Sequence, residues 1–397
     1  MSRAPGRPRI VFCAHGGERT GPPVLLLRFA RWLDAQDLVD QSFVLLDDGP
    51  LAADFAEIGP TIVLDEFRPP LRLQAVESVL FRVPGAGRRL AEGARRRFLR
   101  RRLRPLAEPD LVYVNTAGSV RALRYLDLGD ATVVTQVHEL SVGLTFWLDP
   151  DDLALLLEVS EELLVVSHAV GRVLTEAHGA DPDRIVLHRG YVSPAPVDQR
   201  AVDSCRAQLG LAPDSVLVGA CGTVDWRKAP DLFVRLAEKV WLRAEGVDVR
   251  FVWLGGTPSS PLADTFAADV AASPIADRIT IVPETADPMP WFGAMDVFTL
   301  PAREDAYPLV CLEAASVGVP LVCFDNGGMP EFVADTGGGV TVPYPDLDAF
   351  ADAVARLVTD DAGREQMGRA AAAGVESGHT VASAGPALWE QLAPWVR

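Results

Sequence analysis

A 397-residue chain of which 49% is apolar is too long for one compact core, so two domains of ordinary size are expected. Its formal charge of −17 argues against nucleic acid as the main partner. No window approaches the roughly 18 uninterrupted apolar residues of a spanning helix, the start MSRAPGRPRIVFCAHGG lacks an apolar signal core, and the five cysteines include no C-x-x-C, so a cytoplasmic protein without a disulfide framework or zinc site is expected.

Short β-rich apolar runs alternate with longer helical patterns along the chain, the signature of βαβ units and parallel sheets. In the first half the predicted strands are RIVFCA (9–14), SFVLLDD (42–48), TIVL (61–64), LVYVN (111–115), TVVTQV (132–137), LLVVS (163–167) and RIVLH (184–188). GYVSPAPVDQR (190–200) mixes proline with polar residues and reads as an interdomain linker. A second series follows: SVLVGACG (215–222), VRFVWLGG (249–256), RITIVP (278–283), DVFTLP (296–301), PLVCF (320–324) and GGVTVP (338–343). Two open, doubly wound α/β domains follow from this order. The last stretch, VASAGPALWEQLAPWVR, reads as an amphipathic helix bracing the two.

Ligands of open parallel sheets bind beyond the carboxyl ends of the strands, so the strand-to-helix loops carry the candidate residues. After the first strand, HGGERTGPP places Gly16, Gly17 and Gly21 where backbone N–H groups can approach an anion or a sugar; a tight turn without a ligand fits that stretch equally well. His138 follows TVVTQV with Glu139 beside it, and either a structural hydrogen bond or a site role suits it. DPDD at 149–152 contains D-x-D but opens the helix LALLLEV, so it reads as an N-cap. In GTVDWRKAP, Lys228 is one of only two lysines in the chain and sits beside Arg227, a pair of cations suited to a diphosphate.

EDAYPLVCLEAASVGVPLVCF, residues 304–324, ends a strand loop and starts a helix. Asp305 falls in the loop and Glu313 in the first turns of the helix, while the N–H groups of Tyr307, Leu309 and Val310, with Pro308 between them setting the turn, lie at the positive helix end, where a phosphate can be held without a metal. One stretch runs against the overall charge: GRRLAEGARRRFLRRRLRP packs nine arginines between Arg88 and Arg104. Leu90, Phe98, Leu99 and Leu103 give it an apolar side, so a basic amphipathic helix at a membrane surface and a simply solvated helix are both consistent with it.

DAYPLVCLE and VGVPLVCFDNGGMPEFV together resemble the E-x7-E and G-G-x-P-E segments of the retaining, nucleotide-sugar-dependent glycosyltransferases of GT-B fold, family 4 type. The resemblance covers essentially the whole chain. It implies an acceptor-binding Rossmann-like domain over 1–190, a nucleotide-sugar-binding one over 200–378 facing it across a cleft, and a bracing helix over 379–397. It also implies that Asp305 contacts donor sugar hydroxyls, that Glu313 binds the ribose, that the Leu309 and Val310 amides hold the diphosphate, that His138 lies near the donor sugar and that Gly16, Gly17 and Gly21 face the diphosphate. In the family's G-R-x-x-x-x-K segment Gly222 and Lys228 match, Thr223 stands in place of the arginine, and Arg227 is the substitute cation; Asp305 is shorter than the usual glutamate. The activity implied is transfer from a UDP- or GDP-sugar to an acceptor hydroxyl, lipid-linked or a natural-product scaffold, with no metal or other cofactor. A sugar-nucleotide epimerase of the same fold and a non-catalytic binding module are the rival readings.

Overall fold

The computed structural model describes residues 7–65, 79, 87–256 and 261–396. The chain divides into two compact units, the first comprising Met1–His188 with Ala384–Arg397, the second Arg189–Ser383.

In the first unit seven parallel strands are ordered β3-β2-β1-β4-β5-β6-β7: β1 (Arg9–Ala14), β2 (Asp40–Leu45), β3 (Thr61–Val63), β4 (Leu111–Asn115), β5 (Thr132–Val137), β6 (Glu162–Val165) and β7 (Ile185–Leu187). Continuous apolar runs form these strands because helices cover both faces of a parallel sheet, leaving no solvent side to alternate with. Phe12 at the centre of β1 is fully buried. It stacks on Phe43 at 5.5 Å and lies 5.6 Å from Tyr113 and 6.4 Å from Phe29. The second strand begins two residues earlier than expected because Asp40 and Gln41 pair with Arg9 and Ile10, and it ends at Leu45, releasing Asp47 and Asp48 to the loop.

The arginine-rich segment is a helix, Gly87–Leu103. Ala91, Leu99 and Leu103 turn inward and are buried, whereas Leu90 is 48% exposed. Two of the four apolar residues of the stripe, Leu99 and Leu103, are thus used inside the unit, while Leu90 is exposed and Phe98 half-buried. Asp149 caps the helix Pro150–Val159 by accepting from the Asp152 N–H at 2.7 Å, as D-x-D suggested.

The second unit has six parallel strands ordered β10-β9-β8-β11-β12-β13: β8 (Val216–Cys221), β9 (Val249–Gly256), β10 (Ile279–Pro283), β11 (Val297–Leu300), β12 (Leu321–Phe324) and β13 (Gly339–Val342). Trp253 fills its core, edge-on to Phe233 at 5.5 Å and Phe266 at 5.3 Å, and its indole N–H donates to the Gly222 carbonyl at 3.1 Å. The stretch read as a linker is partly fixed to this unit: Val192 bridges Thr380, and Asp198 caps the helix Gln199–Gln208. All five cysteines are unpaired thiols.

The chain end belongs to the first unit. Gly385 lies so close to Trp32 that an added Cβ would stand 2.8 Å from the indole, Trp395 donates to Glu162 Oε2 at 3.0 Å, and Leu388 and Leu392 are buried. Truncating a fully buried leucine costs about 2–5 kcal/mol. Leu388→Ala should therefore lower the denaturation midpoint of the first unit, followed by urea titration with Trp32 fluorescence; an unchanged midpoint would show that the tail adds nothing to that core.

Candidate functional site

Each sheet reverses its winding at one point, between β1 and β4 in the first unit and between β8 and β11 in the second, and polar side chains gather at the carboxyl ends of those strands, where open sheets bind ligands.

In the first unit β4 ends on the buried Asn115. Its Nδ2 donates to the Pro22 carbonyl at 3.0 Å, which turns Oδ1 toward His138 Nε2 at 3.2 Å. An amide oxygen only accepts, so His138 carries its proton on Nε2 and donates it to Asn115. Burial, together with the neighbouring His15 and His188, pushes the His138 pKa down to about 3. His15 is lowered to about 4 by burial and Arg121, and His188 to about 4 by burial. Three neutral imidazoles thus occupy this end of the sheet. Thr116 adopts φ 90°, a strained value for a β-branched residue, with its hydroxyl 2.8 Å from that of Ser119 and 3.4 Å from His15 Nδ1. Glu139 ties two loops together, its Oε2 accepting from the N–H groups of His138 at 2.8 Å and Ala117 at 3.2 Å.

The glycines of the first turn have distinct surroundings. Leu51 donates to the Gly17 carbonyl at 2.8 Å, and a Cβ on Gly49 would lie 2.3 Å from the Gly17 carbonyl carbon, so two backbone segments cross there with no room for side chains. Gly21 opens the helix Gly21–Gln36, and Gly16 meets only ordinary contact with Asp47.

In the second unit Asp225 organises the loop after β8. Its Oδ1 accepts the Lys228 N–H at 2.9 Å, and its Oδ2 accepts from the Thr223 hydroxyl at 3.1 Å and the Arg227 guanidinium at 3.0 Å. The Lys228 ammonium leaves this loop to donate to Asp305 Oδ2 in the loop after β11, with the two side chains only 16% and 12% exposed. Burial by itself would lower the Lys228 pKa; the Asp305 carboxylate more than offsets that, and the ammonium titrates above the ordinary lysine value. Its stem passes Gly222, where a Cβ would lie 3.1 Å from Lys228 Cδ. Arg227 follows a different course, its guanidinium held by Asp225 rather than by Asp305.

Arg303 fastens the two loops to each other. Its N–H donates to the Arg227 carbonyl at 2.7 Å, its guanidinium makes two bonds to Asp231 at 2.9 and 2.5 Å, and it lies over the Trp226 ring at 5.4 Å. Beyond Asp305, Tyr307 is anchored by its hydroxyl 2.7 Å from His379 Nε2. Pro308 precedes the helix Leu309–Ser316 without any side-chain cap, so the Leu309 and Val310 N–H groups at its start have no intrahelical partner. Glu313 is half-buried one turn further on. The second unit therefore brings Lys228, Asp305, Gly222 and the helix start to one switch point.

Asn115, Asp225 and Arg303 were not singled out from the sequence. Asn115 had a signal, a polar residue closing the apolar run LVYVN. Asp225, three residues before Lys228, had the spacing of a side chain that caps a turn, whereas nothing local announces that Arg303 pairs with Asp231. Among the described residues no group of three or more His, Cys, Asp or Glu side chains is arranged to hold a metal ion, and no helix is long and apolar enough to cross a membrane.

Two outcomes test this geometry. Gly327 has φ 75°, and a Cβ there would stand 2.0 Å from the Asp305 carbonyl oxygen. Gly327→Ala should displace Asp305 from Lys228 and destabilise the second unit by about 2 kcal/mol or more, read by urea denaturation; wild-type stability would refute that contact. In the first unit the three histidine pKa values are depressed from 6.5 to about 4, 3 and 4. Stability is then fully present above pH 6.5, where the folded and unfolded chains are both neutral at these sites. It falls as acidification toward pH 4 protonates the unfolded chain first, by about 1.4 kcal/mol per pH unit for each proton. His138→Gln should flatten the slope of unfolding free energy against pH by up to one proton; an unchanged slope would mean that His138 is not held neutral.

Residues 215–360 match the family model described as "Glycosyl transferases group 1". A D-inositol 3-phosphate glycosyltransferase of Mycobacterium avium is 34% identical over 222 residues, 54% of this chain and 50% of that protein. The enzyme of that name from Xylanimonas cellulosilytica is 32% identical over 223 residues, 54% of this chain and 52% of that protein. The chain thus spans about half the length of the curated relatives it matches. Among solved structures, Anabaena HepE in complex with UDP and glucose superposes with a TM-score of 0.78 at 16% identity, over 98% of this chain and 100% of that one. WaaG, a glycosyltransferase involved in lipopolysaccharide biosynthesis, superposes at 0.70 and 14%, over 96% and 99%. The chain has the GT-B fold of two parallel-sheet α/β domains, and within it residues 215–360 are similar to the group 1 glycosyl transferases.

Proposed function

We propose that the protein is a glycosyltransferase that moves a sugar from a nucleoside diphosphate donor, UDP- or GDP-linked, to an acceptor hydroxyl with retention at the anomeric carbon and without a divalent metal. The observation that carries this reading is the Lys228–Asp305 ion pair at the switch point of the second sheet, beside the N–H groups of Leu309 and Val310, which have no intrahelical partner. Departure of the diphosphate is the costly step. Lys228 and the two amides would meet the charge growing on the leaving oxygen, electrostatics worth about 3–4 kcal/mol per well-placed donor.

Asp305 holds Lys228 in place and, when phosphate oxygens take over the ammonium, turns its carboxylate to the sugar hydroxyls. Glu313 is assigned to the ribose. His138, neutral and donating from Nε2 to Asn115, is unsuited to act through that nitrogen as a base, and we assign it to positioning the donor sugar. Arg227 adds positive field from its place on Asp225. Gly16, Gly17 and Gly21 present backbone to the donor, with Gly17 also serving the crossing with Gly49.

The acceptor is supported by less. The relatives' names carry an inositol phosphate acceptor, but identity extends over about half of each chain, and acceptor choice in such folds resides in variable loops. Beside His15, Phe146 is 76% and Trp147 43% exposed, an apolar lip that favours an acceptor with an apolar portion, lipid-linked or a natural-product scaffold.

Incubation with UDP- and GDP-sugars should release nucleoside diphosphate. Interconversion of the donor sugars would mark an epimerase, and absence of any turnover with retained nucleotide binding a non-catalytic module. Lys228→Ala should lower release by about 10²–10³-fold, whereas a chelator should leave it unchanged; undiminished release from Lys228→Ala, or strict dependence on magnesium or manganese, would overturn the reading.

A further inference from the structure

The arginine helix contains a feature unrelated to either switch point. A groove of about 710 Å³ is lined by Arg96, Arg97, Arg100, Arg101 and Arg104, with Tyr125 and Asp127 on its other wall. On a helix of 3.6 residues per turn, positions 96, 97, 100 and 101 share one face, away from the buried Leu99, and Arg104 opens the short 3-10 turn that follows the helix. The groove lies where the chain enters β4 and β5, at the amino ends of those strands, whereas His15, Asn115 and His138 stand at the carboxyl ends of β1, β4 and β5. It is therefore on the other edge of the first sheet.

Pairing sets these arginines apart. The chain has 54 acidic residues against 37 basic ones, and many cations elsewhere are matched, as in Arg102 with Asp65, Arg124 with Asp152, Arg243 with Asp348 and Asp352, or Arg303 with Asp231. Among the described residues, no ion pair or side-chain hydrogen bond involves the guanidinium of any of the five groove arginines. In so acidic a protein, five clustered guanidiniums repel one another, and Asp127 is the one carboxylate that lines the groove with them. The helix dipole accounts for cations in the last turn, Arg100 and Arg101, but its effect dies within that turn and does not reach Arg96 or Arg97.

We propose that this groove binds a soluble ligand carrying two or more phosphate groups. Arg96 in the helix and Arg104 just beyond its end are eight positions apart, so the guanidiniums are spread over more than one helical turn, a reach that one phosphate does not fill and several linked phosphates do. Guanidinium forks match phosphate oxygens in bidentate fashion. A groove suits a discrete molecule, whereas a flat bilayer would need a projecting face, and Leu99 and Leu103 of the apolar stripe that insertion requires are already inside the unit.

This inference is independent of the proposed transfer reaction. The probe is inorganic tripolyphosphate, titrated calorimetrically at low salt into the full chain. Binding is expected to weaken as salt rises, to fall at least tenfold in Arg97→Glu/Arg101→Glu, and to persist in Lys228→Ala, which removes the other phosphate candidate. Arg369→Glu, a charge reversal on an exposed helix of the second unit, should leave it unchanged, and thermal melts establish that each variant is folded. Milder Arg97→Gln/Arg101→Gln serves if the reversal does not fold. Absence of binding, binding lost equally in Arg369→Glu, binding abolished by Lys228→Ala alone, or capture by vesicles containing phosphatidylglycerol but not by tripolyphosphate would each overturn the proposal.

Discussion

One partly buried ion pair, Lys228 with Asp305, organises the loops at the switch point of the second unit. Two loops that are 77 residues apart in sequence meet only because β8 and β11 lie side by side where the sheet reverses its order. Each partner alone would be a charge taken out of water at a cost of several kcal/mol; together they stay ionised, and the ammonium is held at the mouth of the strands. In the proposed reaction an incoming diphosphate would offer more negative charge than one carboxylate and would take the ammonium from Asp305.

The supporting contacts follow from that demand. A lysine side chain is long and flexible, and what aims it is backbone: Asp225 pins its N–H, and Arg303 clamps the neighbouring carbonyl while holding Asp231. Gly327 allows the next loop to press on the Asp305 carbonyl. The first unit meets a different requirement. Its polar cluster is buried and uncharged, with Asn115 fixing one imidazole tautomer and a strained Thr116 between them, so that end of the sheet offers directed hydrogen bonds instead of net charge.

Much of this architecture was legible in the residues. Parallel strands enclosed on both faces must be apolar throughout, which is why RIVFCA and VRFVWLGG declare themselves and why all thirteen strands fall where the runs lie. Lys228 stood out by rarity, and Asp305 and Glu313 by their place ahead of a buried helix. What was hidden is long-range pairing. Nothing near Arg303 announces Asp231, and Asn115 is an ordinary strand end until the Pro22 carbonyl fixes its amide. The arginine helix was only half readable: periodicity gave its faces, but whether the apolar one meets lipid or protein depends on what packs against it, and Leu99 and Leu103 turn out to face the core.

The return of residues 384–397 to the first unit makes that unit discontinuous in sequence, while the second is one unbroken stretch. On a ribosome, where segments emerge in order and domains tend to fold as they appear, the usual precedence is inverted. The N-terminal core stays incomplete until residues 384–397 have emerged to pack on Trp32, so the half made first is completed after the second.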